Sequence, residues 1–229
     1  NGETGEDGIA DVPFGENYSR LHFGTAGTAE INGSTMISGF FQAADRGEIT
    51  LTDSTLYVGG GLNVGYIKAG NDSWNGKSSE GFRTGKAATV NVNNSKIYNI
   101  GWGNGNEGNG LQIGGTASGE LNLNGSEVIF DRSANVKACE NAVIHANGVL
   151  NMVDSTLKVG TLTVNDGGAI VIDAANLAEG ESVKVIEQTA ENAATLEGKV
   201  TVNNGEMVKV SYEQKPFRRE VMRTYGASV

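Results

Sequence analysis

Five stretches of the chain share one pattern of apolar and polar positions. They read "GTAEINGSTM", "GEITLTDSTL", "ATVNVNNSKI", "GELNLNGSEV" and "VLNMVDSTL", and they align on Ser34, Ser54, Ser95, Ser126 and Ser155. Three residues before each serine stand Ile31, Leu51, Val92, Leu123 and Met152. Five before stand Ala29, Ile49, Val90, Leu121 and Leu150, and two after stand Met36, Leu56, Ile97, Val128 and Leu157. Seven before, the residue is always small: Gly27, Gly47, Ala88, Gly119 or Gly148. A sixth copy, "GGAIVIDAA", keeps Gly168, Ile170 and Ile172 but has Ala175 in place of serine.

Alternation with a period of two marks a strand with one buried face. The short polar residue before the serine marks a bend, because Asp, Asn and Gly tolerate left-handed backbone and bond to nearby amides. The serine just past the bend is small enough to point inward, where its hydroxyl can satisfy corner amides in a stacked structural role. A shorter apolar pair follows most units, as in "FFQAA", "LQIGG" and "TLTVNDGG". Each unit is therefore a bent strand, a corner, another strand and a glycine-containing corner.

The key apolar position recurs at spacings of 20, 41, 31, 29 and 20 residues. A coil of about 20 residues per turn accounts for the shortest spacings, and the longer ones carry insertions at corners. These are 68–86, 101–110 and 131–141; the last two fall at one corner of consecutive turns. A β-sandwich also has short strands and glycine-rich turns. The asymmetric unit, recurring in phase, favours stacking in register instead. The predicted fold is all-β: a single-stranded right-handed parallel β-helix of about six turns, its hand following the general crossover rule.

The predicted organisation is an amino-terminal cap over 1–20, the β-helix over 21–176, carboxyl-terminal strands or cap over 177–215, and a linker or capping helix over 216–229. The strands beyond the repeats are "VKVIEQ", "GKVTV" and "MVKVSYEQ". The helix is read from Phe217, Val221 and Tyr225 at spacing four, with Arg218, Arg219 and Arg223 beside them.

Composition narrows the function. The formal charge of −10 argues against nucleic acid and anionic membrane surfaces. No apolar run reaches the length of a membrane helix, so no membrane insertion by this chain is expected. The start at Asn1 suggests a mature form or an excised domain. Cys139 is the only cysteine, which excludes an intramolecular disulfide framework and a cysteine zinc site.

The search for chemistry returns no catalytic residue, metal site or cofactor. Asp53 and Asp154 share the position before the aligned serine, but Gly33, Asn94 and Gly125 occupy it elsewhere, so they read as turn formers. His22 and His145 have no ligand partner at metal spacing and read as structural or surface residues. Arg46, Arg83 and Arg132 are scattered. The run "GNGNEGNG" carries one acid, Glu107, where calcium repeats need several in tandem. The aromatics are more suggestive. Trp74, Phe82, Tyr98 and Trp102 sit in or beside insertions and are the candidate ligand-binding residues, because planar rings stack on sugars and anchor interfaces.

The units "GELNLNGSEV", "GVLNMVDSTLKVG" and "GTLTVNDGG" resemble the β-helix turns of bacterial autotransporter passengers and related surface adhesins. The resemblance covers residues 27–212, without the outer-membrane barrel of that family. It implies an exported, extracellular, non-enzymatic protein of the bacterial surface. The implied partners are a host or neighbouring-cell glycan or protein, or further copies of the chain. β-Helices also carry polysaccharide lyases and hydrolases, so a carbohydrate-active enzyme or a glycan-binding module is the alternative.

Overall fold

The computed structural model describes residues 20–23, 27–43, 46–66, 87–101, 110–115, 117–132, 138–178 and 182–204. Among them the chain is all-β, with seventeen strands and no helix. In chain order they are β1 (Arg20–Phe23), β2 (Thr28–Asn32), β3 (Thr35–Ala43), β4 (Glu48–Thr52), β5 (Thr55–Val64) and β6 (Ala88–Asn93). There follow β7 (Lys96–Asn99), β8 (Gly110–Ile113), β9 (Gly119–Asn124), β10 (Glu127–Phe130), β11 (Asn141–Ile144) and β12 (Gly148–Val153). The last are β13 (Thr156–Val159), β14 (Thr161–Val164), β15 (Ala169–Asp173), β16 (Ile186–Gln188) and β17 (Val200–Asn203).

Every described pairing is parallel. One sheet has seven strands, running β2-β4-β6-β9-β12-β15-β17. The other has ten and forks at β5. The first half of β5, Thr55–Val58, pairs with β7, and the row continues through β10, β13 and β16. Its second half, Gly61–Val64, pairs with β8, and the row continues through β11 and β14. The strands thus form three rows. The chain visits the seven-stranded row, then the β7 row, then the β8 row, and returns one layer on.

The aligned apolar positions meet inside. Ile49, Leu51, Leu56, Val90, Val92, Ile97, Leu121, Val128 and Leu150 are fully buried, and Leu123, Met152 and Leu157 nearly so. They belong to one continuous core, joined from the third row by Leu62, Leu111 and Ile144. No layer can cover its own apolar face, so burial is supplied by the layers above and below. Ala29, Ile31 and Met36 of the first unit are only partly buried.

The bend before each serine is left-handed. Gly33, Asp53, Asn94, Gly125 and Asp154 all have φ between 45° and 59°. Glycine, asparagine and aspartate are the residues that reach this region at least cost. The sixth unit turns differently. Ala174 stands at the bend, and the Asp173 carboxylate accepts a hydrogen bond from the Ala175 N–H at 2.8 Å. Asn204, φ 54°, restores the left-handed bend in the last layer.

The small position seven before the serine is a place of close approach. A Cβ on Gly119 would lie 2.0 Å from the Val64 carbonyl oxygen, and one on Gly148 would lie 2.3 Å from that of Ile113. The corner between the second and third rows takes two of the three insertions. β7 ends at Asn99 and β8 begins at Gly110; β10 ends at Phe130 and β11 begins at Asn141. Because β7 pairs with β10 and β8 with β11, the two loops leave the same corner in adjacent layers.

The strands expected within 183–188 and 198–202 are β16 and β17, and they extend two rows by pairing with β13 and β15. The expected helix over 216–229, the strand over 207–214 and most of the amino-terminal cap lie outside the described residues, as does the 68–86 insertion.

Candidate functional site

The five serines form a hydrogen-bonded ladder along one corner. The Ser34 N–H donates to Ser54 Oγ at 3.1 Å, Ser54 to Ser95 at 2.9 Å, Ser95 to Ser126 at 3.1 Å, and Ser126 to Ser155 at 2.9 Å. Each hydroxyl donates back to the carbonyl two residues earlier in its own layer, at 2.6–2.9 Å. A hydroxyl holds one proton and two lone pairs, so one serine can serve an amide above and a carbonyl beside it. All partners of these hydroxyls are backbone groups. Nucleophilic use would need an adjacent base, and the ladder provides none. The register ends at Ala175, which has no hydroxyl to continue it.

Of the four aromatic candidates, the structure describes Tyr98; Trp74, Phe82 and Trp102 lie outside the described residues. Tyr98 is on the outer face of β7, in register with Tyr57 on one side and Ile129 on the other. The Tyr57 and Tyr98 rings stack with centroids 5.6 Å apart and planes 27° apart. The Tyr98 hydroxyl donates to Glu127 Oε2 at 3.0 Å. Partial burial, the hydrogen bond to Glu127 and the nearby Glu127 charge raise the Tyr98 pKa far above the ordinary phenol value. With Ile37 exposed next to Tyr57, these residues form an apolar stripe along the second row.

A second ladder lies at positions the apolar repeat does not mark. Asn151 donates to Asn122 Oδ1 at 2.8 Å, Asn122 to Asn91 Oδ1 at 2.9 Å, and Asn91 to Thr50 Oγ1 at 3.3 Å. These residues face outward midway along the first row. The signal was available, since all three asparagines stand four residues before an aligned serine.

Several titratable groups are engaged. Asp131 is 2% exposed, accepts from Thr189 Oγ1 and lies 3.6 Å from Lys158 Nζ. Arg132 Nε lies 3.2 Å from Glu140 Oε2 in the same corner loop. The Cys139 thiol is buried, and its backbone N–H donates to Asn99 Oδ1 at 2.8 Å. His145 Nε2 lies 2.7 Å from Gln112 Oε1, an acceptor, so Nε2 carries the proton. The imidazole stacks on Tyr66 with centroids 4.8 Å apart, and burial lowers its pKa. His22 stands in β1. The Asp154 carboxylate accepts from Asn176 at 2.6 Å, at the left-handed bend it shares with Asp53. Among the described residues, no three His, Cys, Asp or Glu side chains converge as metal ligands would.

No protein-family model matches the chain, and no curated protein and no solved structure is significantly similar to it.

Proposed function

We propose that the chain is a single-stranded right-handed parallel β-helix and a non-enzymatic module of an exported bacterial surface protein. In this reading it acts as an adhesin toward a glycan or protein of a host or neighbouring cell, or as a self-associating structural rod. The observation that carries it is the ladder from Ser34 to Ser155 within three rows of parallel strands. The repeated polar residues are consumed in holding one layer on the next. A scaffold of that kind presents side chains at fixed spacing along its outer faces. Its right hand follows from the chirality of crossovers between parallel strands. The surface assignment rests on the resemblance of the repeat units to adhesin turns. The deciding experiment is a glycan-array and cell-attachment assay of the purified chain, with product analysis on every hit. Attachment without cleavage supports the reading; released oligosaccharide overturns it.

The second reading is a carbohydrate-active β-helix. It draws on Asp131 and Glu140, two carboxylates carried by one corner loop, each beside a cation. Glycoside hydrolysis uses a pair of carboxylates. If oligosaccharide is released, Asp131→Asn and Glu140→Gln should each abolish the release.

A further inference from the structure

The outer face of the second row pairs an apolar stripe with charges that alternate from layer to layer. Side chains alternate in and out along a strand, and pairing in register sets the outward ones in two columns. One column runs Thr35, Thr55, Lys96, Glu127 and Thr156. The other runs Ile37, Tyr57, Tyr98, Ile129, Lys158 and Glu187. All of these residues are exposed or half-exposed. Ile37 is 51% exposed, and the Lys96 and Glu127 side chains are 58% and 40% exposed. Four apolar side chains, Ile37 to Ile129, thus stand in file beside a cation and an acid.

The charges specify what can cover this face. Lys96 Nζ lies 3.8 Å from Glu127 Oε2, and the Tyr98 hydroxyl donates to the same oxygen. An ion pair this long and this exposed contributes little within one chain. The ammonium has three donors and the carboxylate two oxygens, so both groups have capacity for a further partner. A face with a cation on one layer and an acid on the next is its own complement when reversed. A two-fold axis lying in the face, parallel to the strands and between β7 and β10, sets Lys96 of one copy opposite Glu127 of the other, twice. The same rotation sets Tyr98 on Ile129, Thr55 on Thr156, and the Tyr57 ring opposite the Lys158 ammonium, a favourable pairing. Two copies running the same way would set each layer against itself, and neither Lys96 nor Glu127 would meet its opposite charge. Six layers about 4.8 Å apart make the face about 25 Å long. A face of that length and two side chains wide lies at the small end of specific interfaces, so the association is weak and depends on concentration.

We infer that the outer face of the second row is a self-association surface whose occupant is a second copy of this chain, paired antiparallel about an axis between β7 and β10. This rests on the self-associating reading of the proposed function and deepens it by naming the face and the partner.

The test uses the full chain, with sedimentation equilibrium over a range of concentrations to read association and thermal unfolding to read stability. The expected result is a monomer–dimer equilibrium. Lys96→Glu and Glu127→Lys each set like charges across the axis, and each should weaken the dimer about tenfold or more, the equivalent of about 1.4 kcal/mol. Mixed in equal amounts, the two variants should pair with each other about as tightly as wild type, since one carries acids at both positions and the other cations at both. The rotation sets position 37 opposite Glu187 of the second copy. Ile37→Lys should therefore tighten the dimer and Ile37→Glu should weaken it, at an exposed site where neither substitution disturbs the core. A chain that stays monomeric at every concentration overturns the inference. So does a dimer indifferent to Lys96→Glu and Glu127→Lys, or a mixture of the two folded variants that fails to pair. If either charge variant unfolds, the Ile37 variants decide: effects that are not opposite in sign overturn the inference. Cell attachment by a monomeric chain removes this surface and leaves the adhesin reading standing. A dimer that responds to the variants, without cell attachment, supports the surface and removes the adhesin reading.

Discussion

The Ser126 hydroxyl accepts the backbone N–H of Ser95, 3.1 Å away in the adjoining layer, and donates to the Asn124 carbonyl within its own. One oxygen atom thus joins two layers at a corner where the left-handed bend interrupts the regular β ladder. The same arrangement recurs from Ser54 to Ser155, so the ladder is a property of the repeat.

Ser126→Ala should cost about 1–3 kcal/mol, because a buried amide loses its acceptor. Ser34→Ala, at the partly exposed end of the ladder, should cost under about 0.5 kcal/mol. Urea unfolding of the two variants checks the contrast. Equal costs would mean that the ladder adds nothing beyond the local bend.

Gly119→Ala should destabilise the chain by about 1–3 kcal/mol or more, since the new methyl group would overlap backbone. The neighbour that decides this is the Val64 carbonyl, 2.0 Å from the added Cβ. Ala88 occupies the register position directly opposite Gly119. Repeat alignment alone therefore treats alanine as acceptable there. Thermal unfolding of Gly119→Ala against Ala88→Gly distinguishes the two expectations.

His145 prefers its neutral form in the fold because burial lowers its pKa. The unfolded chain then binds a proton first as pH falls. The stability this group contributes is present above its ordinary value of 6.5 and is lost as pH falls through the lower folded value. His145→Gln should flatten that acid limb in denaturant midpoints measured between about pH 7 and pH 5, around the ordinary histidine value.

Tyr98 shifts the opposite way. Its folded pKa lies above the ordinary 10.0, so its contribution is complete below that value and is lost as pH rises through the folded one. Burial is the largest cause and the Glu127 hydrogen bond the next. Glu127→Gln should therefore bring phenolate absorbance to lower pH without restoring the ordinary value. A titration curve identical to wild type would remove Glu127 as a cause.

Much of this architecture could be read from the chain because its causes are local and repeated. Period-two alternation places Leu121 and Leu123 inward, and the small polar residue before each serine bends the strand through its own backbone preference. Repetition in phase then makes like residues neighbours, so the direction of the serine hydroxyls follows from their recurrence at one corner. The amide ladder of Asn91, Asn122 and Asn151 is equally local in origin, since each asparagine stands four residues before an aligned serine.

Other features depend on contacts between layers that no single unit encodes. Gly119 and Ala88 are interchangeable by pattern, but only Gly119 meets a carbonyl from β5. The stacking of Tyr98 on Tyr57 joins residues 41 apart in sequence. Asn63 is one polar residue among many until its buried Oδ1 is found without a described partner, while Gln42 and Gln112, its neighbours in register, bond elsewhere. The sequence by itself determined the alternation, the bends and the inward serines, because backbone preference and the side-chain period act within a few residues. Only the tertiary structure decided which rings stack, which small positions meet a backbone carbonyl and which buried acceptor lacks a described partner, because stacking sets those outcomes between residues 20 to 41 positions apart.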